Sequence, residues 1–155
     1  MTIYAAIVGT GFAARKRPEA LRKIPQVQLI AVASRSLERA QAFGAEHQVV
    51  AVSIEALWQI QQLDLVFVGT VNASHGVLVQ QALEQQKHVV VEYPLALTVA
   101  EATQLIALAR KRQRLLHVEH IELIGGLHLA MKQHLAAIGQ PHYVKIGRAS
   151  CRERV

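Results

Sequence analysis

Gly9-Thr10-Gly11-Phe12-Ala13-Ala14 has the G-x-G-x-x-A spacing of a turn that binds a dinucleotide through its main chain. The first glycine allows the tight turn, and the second lets a pyrophosphate approach the backbone. The small Ala14 lets the following helix pack on the strand. A second group, Ala33-Ser34-Arg35-Ser36, ends another apolar run. Enzymes that use NAD usually carry Asp or Glu there, on the ribose 2′-hydroxyl. Two hydroxyls and a guanidinium suit a 2′-phosphate instead, held by charged, bidentate hydrogen bonds, and this favours NADPH over NADH. Ser36 also reads as the N-cap of the next helix, and Arg35 as a solvated loop residue. For Ser36 both roles are compatible, because a helix N-terminus is itself an anion site. A third group, Thr70, Asn72 and His75, lies where a strand gives way to a helix. Carboxyl ends of strands in open α/β sheets form the ligand crevice, so Asn72 and His75 are placed to face cofactor or substrate. Ser74 reads equally as a plain N-cap, and His75 equally as a structural residue.

These groups require a frame that brings strand ends together. Apolar runs at Ile3–Val8, Val27–Ala33, Leu63–Val68, His88–Val91 and Leu115–Val118 predict strands, with a weaker one at Val49–Val52. Helical spacing is found at Ala13–Lys23, Ser36–His47, Ile54–Gln61, Ser74–Gln86 and Val99–Arg112. This alternation predicts an α/β fold with a doubly wound, mostly parallel sheet, a Rossmann dinucleotide-binding domain. From Glu119 to Gly139 the spacing is helical, interrupted by Gly125-Gly126 as a kink or a point of close packing. Gly139-Gln140-Pro141 stops it. Tyr143-Val144-Lys145-Ile146 reads as the opening of another strand.

An apolar fraction of 52% and a charged fraction of 18% describe a globular chain and exclude a disordered one. Length sets the prior at one domain with a real core. No apolar stretch reaches the roughly 20 residues of a membrane span, and a single cysteine makes no internal disulfide. A cytoplasmic location is expected. The net charge of +6 is scattered, and an anionic cofactor or substrate explains it better than nucleic acid. Arg110 to Arg114 fall where a helix should end, which suits the helix dipole. The last ten residues, Ile146 to Val155, are basic and non-periodic, and resemble the translation of a sequencing adapter. Without their three arginines and one glutamate, 14 basic and 10 acidic residues give +4. His117 and His120 do not supply the three or four ligands that zinc needs, so no metal is expected.

Three motifs stand in order: the glycine turn, Thr70-x-Asn72-x-x-His75, and Lys87-His88-Val89-x-Val91-Glu92-x-Pro94. Together they resemble the Gfo/Idh/MocA oxidoreductases over Ile3 to about Lys145. Many members have Lys between the Glu and the Pro, where it serves the reaction centre. Tyr93 stands there instead. Glu92-Tyr93-Pro94-Leu95-Ala96-Leu97, followed by Leu116-His117-Val118-Glu119-His120-Ile121-Glu122-Leu123, resembles the branch that reduces linear tetrapyrroles, its bacterial members above all. The resemblance implies hydride transfer from NADPH to the central methine carbon of biliverdin IXα, giving bilirubin. It places Glu92 with Gly9, Thr10, Gly11, Phe12, Ala13, Ser34, Arg35, Ser36, Thr70, Asn72 and His75 at the cofactor.

The same resemblance makes Tyr93, Glu119, His120 and Glu122 the catalytic candidates. Tyr93 would position the tetrapyrrole, since a phenol is a hydrogen-bond donor at neutral pH but a reluctant acid. Glu119, His120 and Glu122 would relay a proton or orient the nicotinamide amide. A glutamate at a helix start also reads as a cap or dipole complement, and His120 as a buried structural donor. The expected organisation is a cofactor domain over 1–120, then a connecting helix and first strand of a β-sheet substrate domain over 121–145, with 146–155 non-native. Two other functions stay open: a sugar or cyclitol dehydrogenase of the same family, and a non-catalytic dinucleotide-binding regulatory module.

Overall fold

Successive side chains of a strand face opposite sides of a sheet, and this chain uses the alternation to fill two separate cores. The structure, a computed structural model, describes residues 1–140. Along them run β1 (Ile3–Val8), α1 (Phe12–Leu21), β2 (Val27–Ala33), α2 (Leu37–His47), β3 (Val50–Val52), α3 (Ile54–Leu57) and β4 (Leu65–Val68). Then follow α4 (His75–Glu84), β5 (His88–Glu92), α5 (Val99–Arg112), β6 (Leu116–Glu119) and α6 (Gly126–Ile138). Two compact units emerge, Met1–Glu119 and a second that begins at His120.

In the first unit the strands form one sheet in the order β3-β2-β1-β4-β5-β6, with every pair parallel. This is the doubly wound order in which the direction of winding reverses beside β1. Ala6, Val8, Ala31, Ala33, Val66, Val68, Val89 and Val91 face a core shared with Leu57, α4 and α5. Ala5, Ile7, Val32 and Phe67 face the other core, closed by Ala14 and Leu21 of α1 and Phe43 of α2. Alanines on the central strands let the helices on both faces approach closely. Strand ends are level: Val8 is in register with Ala33 and with Val68, Val68 with Val91, and Glu92 with Glu119.

The strands β1 and β2 and the helix α5 occupy the predicted spans, and other elements differ for local reasons. The helix α3 ends at Leu57 rather than Gln61. There Gln59 N–H donates to Ala56 and Ile60 N–H to Leu57, the tight three-residue bonds that close a helix. Lys87 Nζ reaches the carbonyl oxygen of Ile60 at 3.3 Å beyond it. A 3-10 turn, Asn72–Ser74, precedes α4, and the Ser74 hydroxyl makes no capping bond but donates to Val71 O at 2.8 Å. Glu119 is the last residue of a strand, not the first of a helix.

In the second unit, a 3-10 turn covers Ile121–Ile124. Gly125 is the extended N-cap of α6 (φ −67°, ψ 146°), so the glycine pair starts a helix rather than kinking one. Gly139, at φ +79°, ends it as predicted. The predicted strand at 143–146 and the tail to 155 lie outside the described residues.

Candidate functional site

Level strand ends gather the predicted residues along one edge of the sheet. Gly9 follows β1, Ser34 to Ser36 follow β2, Thr70 and Asn72 follow β4, and Glu92 with Tyr93 close β5. Gly9 has φ +119°, and a Cβ built on it would lie 2.2 Å from Gly69 O, so only glycine lets the turn pass the end of β4. The turn is pinned by Gly9 N–H to Ala33 O at 2.8 Å and Gly69 N–H to Val8 O at 2.9 Å.

Two residues on, Gly11 is exposed, and a Cβ there would meet nothing within 4 Å. It caps α1 with no side-chain bond, and no acidic residue lies in the first turn. The amides of that turn are thus open to an anion, and the space over Gly11 could admit a diphosphate against main chain. Thr10 and Ala13 are half-buried, and the Phe12 ring is exposed, with Lys16 Nζ 5.7 Å from its centroid.

At the next strand end, Ser36 is an N-cap, its Oγ accepting from Arg39 N at 3.3 Å. Ser34 is half-buried and Arg35 exposed. Ser34, Arg35, Ser36 and the start of α2 are the residues here that could hold a 2′-phosphate.

His75 is placed differently from a ligand-facing residue. It is fully buried, with Nδ1 2.8 Å from Pro94 O and Nε2 3.2 Å from Thr70 O. Both ring nitrogens face carbonyl oxygens, and whichever carries N–H donates to the carbonyl it faces. The expectation that His75 faces cofactor or substrate is corrected. The ring is enclosed by protein and ties the loop after β4 to the loop after β5, where the Tyr93–Pro94 peptide is cis. Thr70 Oγ1 is 2.8 Å from Ser74 Oγ, which braces the first of those loops further. Asn72 is exposed beside it.

Tyr93 lies just past β5 and is 63% exposed. Glu92 and Glu119, in register at the ends of β5 and β6, both bind one guanidinium, that of Arg17 in α1. Its Nη2 lies 2.7 Å from Glu92 Oε1 and also donates to Glu119 Oε2. The guanidinium carbon is 5.0 Å from the centre of the Phe67 ring on β4. Arg17 Nε is buried with no hydrogen-bond partner among the described residues.

Arg17 belongs to a short basic run, Arg15-Lys16-Arg17, part of the scattered charge of the chain. Its spacing carried a signal, because Ala14, Arg17, Pro18 and Leu21 fall at helical intervals on one face and the other three are buried. His120 and Glu122 belong to the second unit, His120 exposed and Glu122 in the 3-10 turn. Among the described residues, no three His, Cys, Asp or Glu side chains are grouped to hold a metal. No described helix is long and apolar enough to cross a membrane.

A parallel sheet in this order, with a glycine turn and a bare helix start at its carboxyl edge, defines a dinucleotide-binding domain. A family profile described as an oxidoreductase family with an NAD-binding Rossmann fold matches residues 3–120, and the chain belongs to that family, Gfo/Idh/MocA. Biliverdin reductase A of Mus musculus is 41% identical over 81 residues, 52% of this chain and 28% of that protein. The dTDP-3,4-didehydro-2,6-dideoxy-alpha-D-glucose 3-reductase of Saccharopolyspora spinosa is 32% identical over 118 residues, 76% of this chain and 36% of its own length. The crystal structure of biliverdin reductase from Synechocystis sp. PCC 6803, in complex with biliverdin and NADP+, superposes with a TM-score of 0.84 at 43% identity. It covers 89% of this chain and 44% of that one. The chain spans less than half the length of each of these relatives.

Proposed function

We propose that the chain is the cofactor-binding part of an NADPH-dependent biliverdin reductase. The observation that carries this is Tyr93, exposed beyond β5 where many family members have Lys. It lies in a chain 43% identical over most of its length to the Synechocystis enzyme. NADPH, when bound, supplies hydride for the central methine carbon of biliverdin IXα, and bilirubin needs one further proton on a pyrrole nitrogen. The glycine turn and the first turn of α1 hold the diphosphate, and Ser34, Arg35 and Ser36 hold the 2′-phosphate. Thr70 and Asn72 line the middle of the crevice, with His75 fixing their loop. Tyr93 positions the tetrapyrrole. An ion-paired carboxylate accepts hydrogen bonds and donates none, so Glu92 and Glu119 orient the nicotinamide amide, while His120 and Glu122 remain the candidates for proton relay.

Residues 121–145 open the substrate domain in this reading, whose remainder lies in the part of the relatives that this chain does not span. The chain alone should therefore bind NADPH and reduce nothing. Mixed with NADPH and biliverdin, it should leave the biliverdin absorbance unchanged, and rapid bilirubin formation would overturn that division of labour. A protein that carries this domain together with the substrate domain should form bilirubin. The similarity to the sugar-nucleotide 3-reductase favours a second reading, a sugar or cyclitol dehydrogenase. In that case the intact enzyme would turn over a sugar with NAD(P)+ and ignore bilins.

A further inference from the structure

We infer that Arg17 is a positioning residue for the nicotinamide end of the cofactor site, setting the two carboxylates that face it. The inference rests on the dinucleotide reading above. Glu92 and Glu119 are partners in the register of β5 and β6, and in a parallel pair such partners project to the same face. Their side chains are about a third exposed, 28% and 30%. Two carboxylates so placed repel each other. Left alone, they would swing apart into whatever space each strand end allowed.

Arg17 removes that freedom. One nitrogen, Nη2, serves both carboxylates, so their oxygens are drawn to a common point. The guanidinium is held from the side, its carbon 5.0 Å from the centre of the Phe67 ring on β4 and its side chain only 14% exposed. Arg17 thereby links the ends of β4, β5 and β6 to α1, the helix whose first turn takes the diphosphate. Pyrophosphate and nicotinamide subsites share one rigid strut. A fixed carboxylate pair is complementary to amide N–H groups, and the nicotinamide carboxamide is the part of the cofactor that has them. The adenosine half, at the far side of the crevice beyond β2, makes no use of this strut.

The difference between the two halves provides the test. Binding of NADP+ and of adenosine 2′,5′-bisphosphate, which lacks the nicotinamide half, is measured by calorimetry on the wild-type chain and on Arg17→Met. Arg17→Met should weaken NADP+ about tenfold or more, the worth of one hydrogen bond to a charged group, and leave the bisphosphate unchanged. Adding Glu119→Gln to Arg17→Met should recover part of the loss, because the repulsion is gone. Equal loss for both ligands would make Arg17 a general structural residue and overturn the inference, as would unchanged NADP+ affinity. A wild-type chain that binds neither ligand defeats the dinucleotide reading itself and the inference with it. If Arg17→Met does not fold, Arg17→Lys keeps the charge but not the shared geometry. It should show the same selective loss to a smaller degree, and an unselective one would overturn the assignment.

Discussion

Alanine at Gly9 and alanine at Gly11 are the same chemical change two residues apart, and the structure assigns them opposite consequences. At Gly9 the backbone has φ +119°, and the new Cβ would sit 2.2 Å from Gly69 O. Strain of this backbone kind costs about 1–3 kcal/mol and overpacking a similar amount. A net loss of about 3 kcal/mol would lower Tm by roughly 10 °C in a unit of this size. At Gly11 the backbone is extended (φ −77°, ψ −172°), which alanine adopts freely, and nothing lies within 4 Å of the Cβ. Alanine is a poorer N-cap than glycine, but it restricts the unfolded chain, and the two effects offset to within about 1 kcal/mol.

In the proposed reading, however, the diphosphate lies against that bare backbone. Losing one of its charged hydrogen bonds costs roughly 1.5–3 kcal/mol, so affinity for NADPH should fall by about ten- to a hundredfold. Urea unfolding and a calorimetric NADPH titration on both variants read the two quantities separately. A Gly11→Ala variant that binds as tightly as the wild type would refute the placement of the diphosphate. A Gly9→Ala variant of unchanged stability would refute the geometry of the turn.

Arg35→Ala should weaken NADPH by about tenfold while leaving NADH unchanged, and parallel titrations with the two cofactors check it. His75→Ala removes a fully buried ring that contacts the carbonyl oxygens of Pro94 and Thr70, so it should cost about 3 kcal/mol. A stability loss below about 1 kcal/mol on urea unfolding would contradict the staple role. Lys87 is buried, and desolvation pulls its pKa below the ordinary 10.5. Its charged form is therefore penalised on folding, and the penalty is relieved as pH rises from the lowered folded value towards 10.5. Wild-type stability should gain on that of Lys87→Met across this window, and parallel stability curves would show that the lysine is not penalised.

The fold was legible because its signals are local. Apolar runs mark the strands, glycine and proline punctuate them, and Gly9 and Gly139 stand where a positive φ is required. The carboxyl-edge residues were legible for the same reason, since each follows a strand directly in the chain. Arg17 was hidden because its partners lie 75 and 102 residues away, and a run of three basic residues looks like solvated surface. His75 was misplaced because a strand-end position says which edge a residue is on but not whether its ring turns inward. Gly125 and Gly126 were read against a helix period that fitted the residues on either side, although the chain resets there from a 3-10 turn to a new helix.

The strand β1 is hydrogen-bonded to β2 on one side and to β4 on the other, and the two seams differ in how far the chain must travel to close them. The first needs only the short crossover through α1. The second joins positions 60 apart, as in the bond from Tyr4 N–H to Asp64 Oδ2. Closing longer loops costs more entropy, and non-local parallel pairing is slow, so the β1–β4 seam is expected to form after the β1–β2 seam. The glycine turn is pinned across that seam, by Gly69 N–H on Val8 O. A chain emerging from the ribosome thus acquires its diphosphate cradle only once residue 69 is free to dock, however early Gly9 and Gly11 were made. A dinucleotide bound there would act as a latch, slowing the reopening of the β1–β4 seam.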